Sequence, residues 1–252
     1  MPSPRLEPPY PPKIIEETDD WLVVDKPPFM QVHPSKPQDT DTLWDELRQL
    51  LVYEIANGGQ VSIINRLDRE TSGLTLVAKH AAAARHFSML MEQRKIQKTY
   101  LAIVWGWPEQ DSWTVDAPLL RQGDIGETRI WLKQCVHADG ATAVTHFQIE
   151  NRWSQNDVPF ALVRALPHTG RMHQIRVHLK HSGHPIVGDK LYGPDEACYL
   201  EFIETGWTPS LEARLLLPRQ ALHSCYLAAD GHEWHSGLPE DLREREGTPR
   251  LS

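Results

Sequence analysis

Nowhere in this chain does a run of roughly 18 or more apolar residues occur, so no membrane-spanning helix is expected. The opening Met1-Pro2-Ser3-Pro4-Arg5-Leu6-Glu7-Pro8-Pro9 lacks the apolar core of a secretory signal. Its prolines fix φ and remove donors, so residues 1–12 read as an extended, flexible tail. Cysteine is scarce. Cys135, Cys198 and Cys225 are odd in number and share no C-x-x-C spacing, which argues against a disulfide framework and a zinc ribbon and points to a reducing cytoplasm. The chain also has no G-x-x-x-x-G-K-[ST] and no G-x-G-x-x-G, so no nucleotide cofactor is expected. Positive charge is in deficit, with 26 Lys and Arg against 34 Asp and Glu, a net charge of −8.

The 252 residues suffice for a sizeable core, and 40% apolar with 24% charged residues is ordinary for a globular protein. The charge is unevenly spread. Residues 64–100 carry seven basic and three acidic side chains, and residues 163–190 five and one. Each stretch is therefore +4, which leaves −16 for the rest. An anionic partner is met by local charge, not by the sum.

Short apolar segments at 14–16, 21–25, 61–64, 74–78, 99–105 and 221–227 read as strands, and residues 113–164 as successive strands with tight turns at Asp139-Gly140 and Asn156-Asp157. The spacing of Leu43, Leu47, Leu50, Leu51 and Ile55 predicts a helix over 42–56, capped by Asp41 or Thr40. Further helices are expected over 80–93 and 171–181, the latter ended by Gly183. Hairpins mixed with a few helices give an α+β class, with one domain over 13–238 and a frayed tail over 239–252.

The densest chemistry lies in Asn65-Arg66-Leu67-Asp68-Arg69-Glu70-Thr71-Ser72-Gly73. A carboxylate held by arginines stays ionised, and partly desolvated it is a candidate nucleophile or base needing neither metal nor cofactor. A charged turn between two strands accounts for this segment equally well. Three further segments bear on the choice: Asp25-Lys26-Pro27-Pro28, Gln97-Lys98-Thr99-Tyr100-Leu101-Ala102, and His168-Thr169-Gly170-Arg171-Met172-His173-Gln174-Ile175-Arg176-Val177-His178-Leu179.

In this order the four segments resemble the motifs of the RluA-type family of RNA pseudouridine synthases, from about Ile14 to about Ala228. The R-L-D-x-x-T-S-G and T-G-R-x-H-Q-I-R segments are specific as a pair. One departure stands out: the residue before Arg66 is usually His in the family and is Asn65 here. Asn also donates a hydrogen bond. The resemblance implies the synthase fold, a single mixed, mainly antiparallel sheet with flanking helices. Many relatives carry an N-terminal S4-type RNA-binding domain; about twelve residues precede the first expected strand, so a member without it is expected.

The same resemblance implies a cofactor-free isomerisation of uridine in ribosomal or transfer RNA, acting on a stem-loop without an obligate protein partner. It assigns catalysis to Asp68, with Arg171 pairing to its carboxylate from the start of the predicted helix. Tyr100 stacks on the uracil and can take the C5 proton. Ile175, four residues after Arg171, packs against the target base. Arg66 fills the space left by the flipped nucleotide or holds adjacent phosphates. Lys95, Lys98, Arg176 and Lys180 are candidates for backbone contacts. Lys26 supports the wall of the site.

Two other classes compete. Five histidines between His168 and His184 invite a metal site, although H-E-x-x-H is absent and most alternate with Arg and Lys. A non-catalytic RNA-binding protein on the same fold is the second, and the presence of Asp68, Tyr100 and Arg171 together weighs against it.

Overall fold

The computed structural model describes residues 6–36 and 39–244. Strands β1 (Lys13–Glu17) and β2 (Trp21–Lys26) precede helices α1 (Leu43–Leu50) and α2 (Val52–Ala56). Then come β3 (Ser62–Ile63), β4 (Ser72–Ala78), α3 (Ala81–Glu92), β5 (Gln97–Trp105), β6 (Ser112–Asp116), β7 (Leu119–Arg121) and β8 (Gln134–Val136). The long hairpin β9 (Val144–Gln155) and β10 (Val158–Pro167) leads to α4 (Gln174–His181), α5 (Ala197–Thr205) and α6 (Pro209–Leu215). Strands β11 (Leu222–Ala229) and β12 (His232–His235) and the turn α7 (Glu240–Arg243) complete the order. The class is α+β, and its sheet pairing is mixed and mainly antiparallel; β4 and β11 form the parallel pair. No helix among the described residues is long and apolar enough to cross a membrane.

The described residues divide into two compact units, one of Leu6–Lys98 with His223–Gly237, the other of Thr99–Leu222 with residues 238–244. In the first, β2 lies between β1 and β4, and β12 pairs with β11. Both faces of its sheet are covered, which is why β2 and β4 read as continuous apolar runs and not as alternation. Trp21, Val23, Leu74 and Leu76 pack with Phe87 of α3, whereas Leu22, Val24 and Val77 pack with Leu43 and Leu47 of α1. The predicted helix over 42–56 breaks at Leu51 into α1 and α2. Its cap is Thr42, not Asp41 or Thr40: the Thr42 hydroxyl accepts from the Asp45 N–H while the Asp45 carboxylate accepts from the Thr42 N–H, a capping box.

In the second unit β10 lies between β5 and β9, and β6 extends β9. The β9–β10 turn has both Asn156 and Asp157 at positive φ, as the sequence suggests. Helices α5 and α6 had no counterpart in the sequence reading, although Thr208-Pro209 is a good start signal: the Thr208 hydroxyl accepts from the Leu211 N–H and the proline sits at the first helical position. The tail expected to fray from Pro239 begins with an ordered turn. There Leu242 is fully buried, and Asp241 accepts from Nε (2.6 Å) and Nη2 (3.0 Å) of the buried Arg219. Residues 1–5 and 245–252 of the two expected tails lie outside the described residues.

One histidine links this core to pH. His178, on α4, is buried between the Thr145 hydroxyl (2.9 Å from Nδ1) and the Ala117 carbonyl (3.0 Å from Nε2). Desolvation lowers its pKa below 6.5; the Ala117 carbonyl and Asp116 oppose this and His181 adds to it. The unfolded chain then binds more protons below 6.5, so this contribution to stability is complete above that value and is lost as pH falls toward the folded-state pKa. Chemical denaturation at pH 8 and pH 5.5 should show a smaller difference in His178→Gln than in the native chain. Equal differences would refute the assignment.

Candidate active site

The R-L-D loop joins β3 to β4 and is tied down by buried polar side chains of its own unit. Asn65 donates from Nδ2 to the Leu74 carbonyl (3.0 Å) and accepts at Oδ1 from the Leu76 N–H (2.8 Å). A single amide thus does for β4 what a neighbouring strand would do, and the hydrogen bond expected of Asn65 is present. Lys26 is fully buried and donates to the carbonyls of Pro27 (2.8 Å), Met30 (2.9 Å) and Arg69 (3.2 Å). These bonds pin the turn just after Asp68. The Thr71 N–H closes that turn onto the Asp68 carbonyl at 3.1 Å.

The T-S-G end of the motif meets β11 closely. Gly73 has φ of 112°, and a Cβ there would lie 2.3 Å from the Ser224 carbonyl oxygen, so only glycine permits this approach. Beside it the buried Ser72 hydroxyl meets His223 Nδ1 at 3.0 Å, and His223 Nε2 faces the Ser236 carbonyl at 3.3 Å. A carbonyl only accepts, so Nε2 carries the proton and Nδ1 accepts from Ser72. The Ser236 hydroxyl in turn donates to Asp25. The D-K-P and T-S-G segments therefore share one polar frame.

On that frame Asp68 is half-buried and Arg66 exposed, both on one loop. Arg69 donates to the Leu6 carbonyl at 2.6 Å and lies 5.9 Å from the Phe29 ring centroid. Lys98 stands apart on β5, half-buried, with Nζ 3.8 Å from Met91 Sδ and its pKa lowered by burial. Lys95 is exposed.

Tyr100, Arg171, Ile175 and Arg176 belong to the second unit. Tyr100 is buried on β5 opposite Ala165 of β10. The T-G-R-x-H-Q segment is organised by Gln174, which the sequence reading missed. Its Oε1 accepts from the Thr169 hydroxyl (2.7 Å) and the Arg171 N–H (3.0 Å). Its Nε2 donates to the Val144 carbonyl (3.0 Å) and the Thr145 hydroxyl (2.9 Å). All four capacities of the amide are used, and the loop before α4 is fixed by them. No pattern in the sequence singles it out.

Two expectations need correction here. Arg171 does not begin the helix: α4 starts at Gln174, after His173 at φ of 58°. The four-residue spacing from Arg171 to Ile175 is therefore not a helical turn. Arg171 is exposed on a loop, its Nε donating to the Thr142 carbonyl at 3.1 Å, while Ile175 is buried. Arg176 does not reach solvent either. It is buried, chelates Asp189 through Nε (2.7 Å) and a terminal nitrogen (2.9 Å), and lies 4.9 Å from the Tyr192 ring centroid. A charge spent on a buried carboxylate is structural, so Arg176 is withdrawn as an RNA contact. Lys180 donates to the Gly193 carbonyl at 2.9 Å.

Three of the five histidines are engaged elsewhere. His173 Nδ1 meets the Tyr192 hydroxyl at 2.8 Å, His184 Nδ1 the Trp105 carbonyl at 3.1 Å, and His178 is engaged at both nitrogens. Among the described residues no three His, Cys, Asp or Glu side chains converge as metal ligands.

Comparison with known proteins bears on the whole arrangement. Residues 20–181, which include all the proposed site residues, match the family model described as RNA pseudouridylate synthase. The chain is 36% identical over 227 residues to an uncharacterized RNA pseudouridine synthase of Chloroflexus aurantiacus, covering 86% of this chain and 63% of that protein. It is 35% identical over 239 residues to ribosomal large subunit pseudouridine synthase D of Nitrosomonas europaea, covering 91% and 63%. The namesake in Pseudomonas aeruginosa is 34% identical, covering 91% and 69%. The chain thus spans 63% of the length of the first two relatives. Among solved structures, human RNA pseudouridylate synthase domain containing 1 superposes with a TM-score of 0.67 at 26% identity, covering 93% of this chain and 86% of that one. By its motifs, fold and relatives, the chain belongs to the RNA pseudouridylate synthase family.

Proposed function

We propose that the chain isomerises uridine to pseudouridine in RNA, with Asp68 as the catalytic carboxylate. The observation that carries this reading is the Asp68 loop itself. A half-buried carboxylate sits on a loop whose flanks are held by Asn65, Lys26 and Thr71, beside an exposed arginine. Such a loop fixes a reacting group in place, which is where enzymes gain rate.

The reaction breaks the C1′–N1 bond, turns the uracil, and joins C1′ to C5. The hydrogen on C5 leaves as a proton and N1 acquires one, so atoms balance without oxidant or donor. Asp68 either attacks C1′ or removes a ribose proton to give a glycal, and is regenerated in both routes. In this reading Arg171 pairs with Asp68, Tyr100 stacks on the base and takes the C5 proton, Ile175 packs against the base, and Arg66 occupies the space it leaves. Extrusion from the stack costs a few kcal/mol, which binding of the flanking strand must offset. Lys98 serves the backbone.

The target is a stem-loop of ribosomal or transfer RNA in the cytoplasm. The names of the relatives in Nitrosomonas europaea and Pseudomonas aeruginosa refer to the large ribosomal subunit, so large-subunit RNA is the first substrate to try. Uridine-C5 tritiated ribosomal and transfer RNA pools from a strain lacking the gene supply the test, because forming the new bond must expel that hydrogen. Release with one pool supports the enzyme and names its RNA class. Binding without release from either pool would favour an RNA-binding protein on this fold.

A further inference from the structure

Helix α1 presents an arginine whose place is fixed by an aromatic ring. Arg48, in its last turn, is exposed and lies with its guanidinium carbon 4.6 Å from the centroid of the half-buried Trp44, one turn earlier. Trp44 is itself anchored, its backbone N–H donating to the Val32 carbonyl (3.1 Å) beside the Leu43 N–H to Gln31 (2.8 Å). The same segment brings His33 to 6.3 Å from the Trp44 ring, with its carbonyl accepting from Gln31 Nε2 at 2.6 Å. Burial and then the nearby Arg66 charge lower the His33 pKa, with Asp45 opposing. Lys26, bonded to both the Met30 and the Arg69 carbonyls, ties this segment to the Asp68 loop. Asp45 is spent on the Thr42 cap, and among the described residues no carboxylate pairs with Arg48 or Arg66.

We propose that Arg48, seated on Trp44, is a phosphate clamp for an RNA nucleotide flanking the target, in a track that runs from the Asp68 loop past His33. This rests on the reading of the chain as an RNA enzyme. A guanidinium stacked on an aromatic face is pre-organised and keeps its in-plane N–H donors turned outward, where they match the two oxygens of a phosphodiester. Trp44 carries Arg48 over its ring and lies beside His33, and it acts as a positioning residue. Contacts of this kind are sequence-neutral, and they place the strand so that the loop can act on one base.

The test is binding of a labelled RNA hairpin to the full chain across a salt series, with steady-state turnover alongside. Arg48→Gln should weaken binding about three- to tenfold, reduce the salt slope by about one, and raise KM with kcat little changed. Arg48→Lys, which keeps the charge, should restore most of the slope. Trp44→Leu should weaken binding less than Arg48→Gln, since the charge remains but loses its seat. Unchanged affinity and slope in Arg48→Gln, in a chain that turns RNA over, overturn the clamp alone. Binding that depends on Arg48 without tritium release overturns the catalytic reading and leaves the clamp standing. No RNA binding by the native chain overturns both.

Discussion

Asp68→Asn is expected to lose turnover by at least about 10²–10⁴-fold while folding and RNA binding persist. The change removes the charge and the nucleophilic oxygen at almost no cost in volume. The loop should keep its shape, because its anchors are the Asn65 amide, the Lys26 ammonium and the backbone bond from Thr71 to the Asp68 carbonyl. None of these uses the Asp68 carboxylate. Tritium release measured with saturating RNA reads the effect directly. Activity above about a tenth of the native value would remove Asp68 from the role of nucleophile or base. A melting temperature equal to the native one is the control that separates chemistry from folding.

The largest effect on stability is expected at Asp189. Its carboxylate is wholly buried and accepts from Arg176 twice and from the N–H groups of Leu191 (2.9 Å) and Tyr192 (3.0 Å). Burial alone would push this acid up, but the Arg176 charge and these hydrogen bonds outweigh it and hold the pKa below the usual carboxylate range. Asp189→Ala leaves a buried guanidinium and two backbone donors without their acceptor, a change costing about 3–5 kcal/mol. For a chain of this size that corresponds to a fall in melting temperature of roughly 6–20 °C. Asp189→Asn retains an acceptor and should fall between. A shift below about 2 °C for the alanine variant would mean that Arg176 finds another partner.

How much of this was legible in the sequence depended on the kind of signal. Strands with apolar runs and the Asn156-Asp157 turn were readable because local pattern decides them. The split of the 42–56 helix at Leu51 and the late start of α4 were not, because apolar spacing continues through Leu51 and a positive φ at His173 leaves no mark in composition. At the site, Asp68 and Lys26 stood out by charge and context. Arg176 misled because a basic residue in a basic motif looks like an RNA contact. Its partner Asp189 is thirteen residues on, and the pairing is a tertiary fact. Gln174 was passed over for the opposite reason: an uncharged amide announces nothing until its four partners are brought to it.

The Asn65 amide gives the loop a reporter of its own. In most sheets the protection of a strand amide against deuterium exchange tells whether two strands are zipped together. At Leu76 the acceptor is a side chain of the R-L-D loop. Exchange at that one amide therefore times the lifting of the loop from β4, separately from opening of the sheet, and can be followed by NMR in the free protein and with RNA present.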